Sequence, residues 1–147
     1  MEEIKKHYEG LRKFGGEILR SNKENTVKIQ TTRVNDGDAP HFQRMYVCYA
    51  ELKKAWKEGC RPILGLDGCF LKIVCGGQLL SAVGRDGNNS IFPIAMAVVE
   101  TESYDSWKWF MTLLSEDLEL GTGHAYTFIS DQQKVHVCVL HILHVIS

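Results

Sequence analysis

The sequence predicts an α/β fold, a mixed β-sheet with one crossover helix, preceded by a mainly helical N-terminal segment. Three observations predict it. Residues 62–99 hold three short apolar runs divided by the turn signals Gly76-Gly77 and Asp86-Gly87-Asn88-Asn89, which reads as an antiparallel meander. A helical pattern then precedes a fourth apolar run, so that strand returns by a crossover and the sheet is mixed. Ahead of the meander, apolar residues recur at three- and four-residue steps over two stretches of residues 1–58.

Each element has its own signal. Ile4, Tyr8, Leu11 and Ile18 fall at helical spacing, although Gly15-Gly16 weakens the middle of that helix. Thr26-Val27-Lys28-Ile29-Gln30-Thr31 alternates and is β-branched, a short strand, and Asn35-Asp36-Gly37-Asp38 is a loop. From His41 to Glu58, Phe42, Met45, Tyr46, Tyr49, Leu52 and Trp56 predict one amphipathic helix with a core-facing aromatic stripe, ended by Gly59. Pro62-Ile63-Leu64-Gly65-Leu66 opens the meander and leads into Asp67-Gly68. Gln78 to Val83 is its second strand. Ile91 to Val99 is the third, and its nearly continuous apolar character implies burial on both faces. Trp107, Phe110, Met111, Leu114 and Leu118 share one face of the next helix, with Ser103 or Asp105 as its cap and Gly121-Thr122-Gly123 as its end. Ala125 to Ser130 forms the fourth strand, running into Asp131.

With 147 residues, 44% hydrophobic and 24% charged, the chain is the size of one ordinary domain and can bury a core. No apolar run reaches the roughly 18 residues of a membrane span, and Met1-Glu2-Glu3 does not open a signal peptide. The expectation is a soluble, intracellular protein with no membrane partner. The net charge of −1 conceals an asymmetry: residues 1–61 hold 13 Lys and Arg against 9 acids, residues 62–147 hold 4 against 9. The strong basic patch of a stand-alone nucleic-acid binder is missing. Cys48, Cys60, Cys69, Cys75 and Cys138 make an odd count, which favours free buried thiols over a disulfide framework.

Two acids follow apolar strands, Asp67 after Ile63-Leu64-Gly65-Leu66 and Asp131 after Phe128-Ile129-Ser130. Such placement holds a carboxylate on a rigid element. If the first and fourth strands are neighbours, the two acids meet, and close carboxylates repel unless they share a cation. Mg²⁺ takes one or two protein carboxylates and completes its shell with water and phosphate. From spacing alone, each Asp equally fits a turn or cap role.

Five blocks carry a resemblance. They are Gly59-Cys60-Arg61-Pro62-Ile63-Leu64-Gly65-Leu66-Asp67-Gly68-Cys69-Phe70-Leu71-Lys72, Gly76 to Asn89, Pro93 to Glu100, Asp105-Ser106-Trp107-Lys108-Trp109-Phe110 and Ile129-Ser130-Asp131-Gln132-Gln133-Lys134. In this order they resemble the transposase domain of Mutator-like (MULE) elements over residues 59–134, and residues 8–58 look like the region that precedes it in plant members. The domains implied are a helical N-terminal region, 1–58, and a partial nuclease domain, 59–147. The resemblance implies a ribonuclease H-like fold and metal-dependent DNA cleavage and strand transfer by an Asp, Asp, Glu triad. Asp67 and Asp131 would be its first two acids, Mg²⁺ or Mn²⁺ its cofactor, DNA its partner and the nucleus its location.

The third acid of that family is a Glu well downstream. Only 16 residues follow Asp131, none of them acidic. The expectation is a truncated, transposon-derived fragment without appreciable activity of its own. The alternative is a domesticated binding or transcription-regulatory module that pairs with protein or DNA without chemistry. Among upstream acids, Glu100, Glu102 and Asp105 stand near the right place, but their expected role is to cap or solvate the helix start. Cys138-x-x-His141 resembles a Cys-x-x-His pair of the family, and thiolate with imidazole suits Zn²⁺, although a closed site needs four ligands. An apolar terminal segment with incidental Cys and His fits it as well.

Overall fold

The computed structural model describes residues 2–72, 76–131 and 135. Their order is α1 (Glu2–Ser21), β1 (Thr26–Thr32), β2 (His41–Cys48), α2 (Ala50–Gly59), β3 (Ile63–Phe70), β4 (Gln78–Arg85), β5 (Ile91–Val99), α3 (Tyr104–Leu118) and β6 (Thr127–Ile129). The strands form one six-stranded mixed sheet in the order β1-β2-β5-β4-β3-β6. The expected meander is β3-β4-β5, antiparallel throughout, and β6 returns after α3 to pair parallel with β3.

One expectation fails. Residues 41–58 are not a single helix: His41–Cys48 is a strand, and only Ala50–Gly59 is helical. Half of the N-terminal segment is helical, and its two strands extend the sheet through the β2–β5 pairing. The reason is burial on both faces. Met45 and Val47 face α1, while Tyr46 and Cys48 face the main core. A strand buried on both sides loses its alternation, and its apolar residues then satisfy helical spacing as well.

The main core lies between the sheet and α3 with α2. Trp107, Phe110, Met111 and Leu114 of α3 are fully buried against Leu64, Leu80, Ala82, Ala95 and Ala97. Small residues on the strands leave room for large ones on the helix. Ser103 caps α3 in a reciprocal capping box with Ser106. On the other face, α1 packs on β1 and β2. Gly15 permits the approach, because a Cβ there would stand 3.0 Å from the Val27 side chain and 3.1 Å from that of Met45. The expected weak point of α1 is its contact point. Pro93 is accommodated in β5 because β2 pairs only with Ala95 to Val98, leaving the proline unpaired on that side.

A buried polar cluster ties β1, β2 and α2 to α3. Asp117 accepts hydrogen bonds from Thr26 Oγ1 (2.7 Å), Tyr46 Oη (2.8 Å) and Lys53 Nζ (2.9 Å). Burial, then the nearby Cys48 and Asp117, push the Tyr46 phenol well above its usual range. Burial likewise pushes the Cys48 thiol up to about 11. Among the described residues, Cys48, Cys60 and Cys69 are all free thiols, but only Cys48 is buried and Cys69 is exposed.

Candidate functional site

Parallel neighbours end on the same side of a sheet, so the C-terminal halves of β3 and β6 converge. Their register is Ile63↔Thr127, Leu64↔Phe128 and Gly65↔Ile129, an offset of 64 residues (127 − 63). The pairing stops there, and Asp67 and Asp131 each lie two residues beyond the Gly65↔Ile129 pair. Neighbouring strands lie about 4.8 Å apart. Two same-face carboxylates at that spacing can reach one Mg²⁺, which holds oxygens at about 2.1 Å.

Asp67 is not at a strand terminus, as its sequence position suggests. β3 continues to Phe70 because β4 continues to pair with it (Phe70↔Gln78). What ends near Asp67 is the pairing with β6, so among the described residues the β6-side edge of β3 is open beyond Gly65. Asp67 is exposed and accepts a hydrogen bond from the Gly68 N–H at 2.9 Å. It alternates with the buried Leu64 and Leu66, so it stands on the sheet face away from α3. Along that row its neighbours are Ser81, Met96 and Val47. Since α1 stops at β2, Met96 and Ile129 stay exposed there, 40% and 57%. Asp131 is exposed too, two residues past the last residue of β6.

The three acids around the start of α3 divide. Glu100 is engaged by Arg44, whose Nε donates to both carboxylate oxygens at 3.0 and 2.9 Å. Partial burial opposes its ionisation, but the Arg44 hydrogen bonds and charge prevail and hold its carboxyl below the usual range. A lowered folded value adds stability above pH 4.5, the ordinary carboxyl value, and that stability is lost as pH falls through the lowered value. Glu100→Gln is therefore expected to be less stable than wild type at pH 7 in urea titrations, the gap closing in acid below pH 4.5. Asp105 lies exposed in the first turn of α3, as expected of an acid at a helix start.

Glu102 departs from expectation. Its Oε1 accepts from Trp107 Nε1 at 3.0 Å, and its carboxylate oxygens lie 3.1 and 3.2 Å from where a Cβ on Gly68 would stand. By sequence, Asp67-Gly68 also permits a turn. The glycine is instead in mid-strand, and its bare Cα faces a carboxylate.

The donors at this end are all carboxylate oxygens, which suit Mg²⁺ or Mn²⁺ rather than Zn²⁺. Among the described residues no three Asp, Glu, His or Cys side chains already converge on one point. Cys138 and His141 lie outside the described residues. Among the described residues no helix is long and apolar enough to cross a membrane.

Comparison with known proteins identifies the family. The family model of the MULE transposase domain matches residues 63–144, the stretch that holds β3 to β6, α3 and both aspartates. No curated protein and no solved structure matches the chain significantly. The chain belongs to the MULE transposase domain family.

Proposed function

We propose that the chain is a transposase-derived protein whose Asp67 and Asp131 face a common divalent cation at DNA phosphate. The observation that supports this reading is the parallel β3–β6 pairing, which ends at Gly65↔Ile129 with each acid two residues further on. The sheet order fits a ribonuclease H-like core, in which β3-β4-β5, α3 and β6 are the successive elements. When bound, Mg²⁺ or Mn²⁺ activates a water or hydroxyl and stabilises the leaving oxygen of a phosphodiester. The protein's own part is to hold two carboxylates on rigid strands, with the half-open sheet face left for the nucleic acid. DNA as the substrate and the nucleus as the location are part of this proposal, as the resemblance implies.

The test is linkage between metal and folding. A cation that binds only the native state stabilises it by about 2.7 kcal/mol at one hundred times its dissociation constant. Saturating Mg²⁺ is therefore expected to raise the urea midpoint of the wild type. Asp67→Asn and Asp131→Asn should each remove most of that rise without lowering stability in EDTA. Equal midpoints with and without Mg²⁺ in the wild type would defeat the reading. They would favour instead a DNA-binding or protein-binding regulatory module without chemistry.

A further inference from the structure

Gln78 opens β4 and is only 7% exposed, yet its side-chain Oε1 is buried with no hydrogen-bond partner among the described residues. A buried polar atom left unpaired is costly, so its presence calls for an explanation. Its cross-strand partner is Phe70, the last residue of β3. Direct partners share a sheet face, with Cβ atoms about 5 Å apart. That face is the α3 side: Gln78 alternates in step with the buried Leu80 and Ala82, and Phe70 with Leu64 and Leu66. Phe70 is nevertheless 81% exposed. One strand pair therefore sets an uncovered aromatic ring beside an amide with an unused acceptor. Packing explains neither residue. The ring is mostly in solvent, and a leucine at position 78 would fill the space without an orphaned oxygen.

We infer that Phe70 and Gln78 form a seat for one unpaired nucleobase of a DNA strand, the base stacking on the ring and its edge hydrogen-bonding to the amide. This rests on the proposed function, which sets DNA at this end of β3, and adds a contact to a base rather than to phosphate. An aromatic side chain offers any base a stacking surface. A primary amide presents a donor and an acceptor side by side, the pattern complementary to adenine. Reaching Oε1 takes only a turn of the terminal amide, whose torsion is broad and roughly two-fold. With no partner on Oε1, the turn gives up no hydrogen bond there. Lys72, two residues past Phe70, is exposed and supplies a positive charge for a neighbouring phosphate. Asp67 stands on the opposite face, so the strand passes around the edge of β3, which among the described residues is open beyond Gly65.

The experiment is binding of a short dye-labelled single-stranded DNA to the full chain in EDTA, read by fluorescence anisotropy. The wild type is expected to bind an adenine strand more tightly than an abasic strand of the same length. Phe70→Ala, at a mostly solvated position, is expected to weaken binding of the adenine strand about 5- to 150-fold, the range for one stacked base. Gln78→Leu is expected to weaken the adenine strand more than a thymine strand, with a urea midpoint at or above wild type because the unpaired acceptor is gone. Phe14→Ala, an exposed ring on α1, should bind as wild type. Equal binding of abasic and adenine strands, or Phe70→Ala and Gln78→Leu variants that bind as wild type, refutes the seat. Tighter binding of the ribose strand of the same sequence overturns its assignment to DNA. A wild type that binds no strand yet gains stability from Mg²⁺ refutes the seat and leaves the cation reading standing; one that does neither refutes both.

Discussion

Asp117→Ala is expected to cost about 3–5 kcal/mol of folding stability, the penalty for leaving one partner of a buried ion pair uncompensated. Lys53 and Asp117 are both largely buried, their side chains 18% and 12% exposed. Removing the carboxylate strands the Lys53 ammonium and deprives Tyr46 and Thr26 of their acceptor. Urea denaturation measures the loss. A second substitution identifies its cause: adding Lys53→Met to Asp117→Ala should recover part of the stability, because the orphaned charge is gone. A cost of about 1 kcal/mol, typical of a single exchanged hydrogen bond, would mean that water replaces the cluster. The result bears on organisation, because this cluster fastens β1, β2 and α2 to α3. A large effect makes residues 26–53 part of the same cooperative unit as the stretch matched by the family model.

Trp107→Ala is expected to cost a similar amount, about 3–5 kcal/mol, as is usual when a fully buried aromatic is truncated. Trp107 stands among Phe110, Leu80 and Val99 in the main core, 0% exposed. Its indole also holds Glu102, so packing and positioning can be separated by a milder change. Trp107→Phe keeps most of the apolar volume and loses the N–H. It should cost much less stability than the alanine variant, yet still loosen Glu102. Equal costs for Phe and Ala would place the energy in the hydrogen bond rather than the packing.

The sequence was most legible where burial is one-sided or a turn is sharp. Gly76-Gly77 and Asp86-Gly87 located the hairpins of β3-β4-β5, and the helical face from Trp107 to Leu118 located the crossover. From these alone a crossover strand could be expected, and the structure sets it beside β3, the condition the sequence left open. β2 was illegible because Arg44, Met45, Tyr46, Val47 and Cys48 are all buried, which erases a period of two. Asp67 looked terminal because the apolar run stops there, whereas pairing with β4 carries the strand on through Gly68, Cys69 and Phe70. The partners of the acids could not be read at all. Arg44 meets Glu100 across 56 residues, and Gly68 meets Glu102 across 34 (102 − 68), contacts that no local pattern encodes. Gly15 belongs to the same class: a helix-weakening residue by propensity, a packing requirement in the fold.

Replacing Mg²⁺ with Fe²⁺ and generating hydroxyl radicals with ascorbate and peroxide cuts the backbone beside the bound ion, and mapping the fragments tests the shared cation most directly. We predict two cuts, one next to Asp67 and one next to Asp131, both suppressed by excess Mg²⁺ and both absent in Asp67→Asn. A single cut, or cuts remote from both residues, would contradict the meeting of these two acids across one ion.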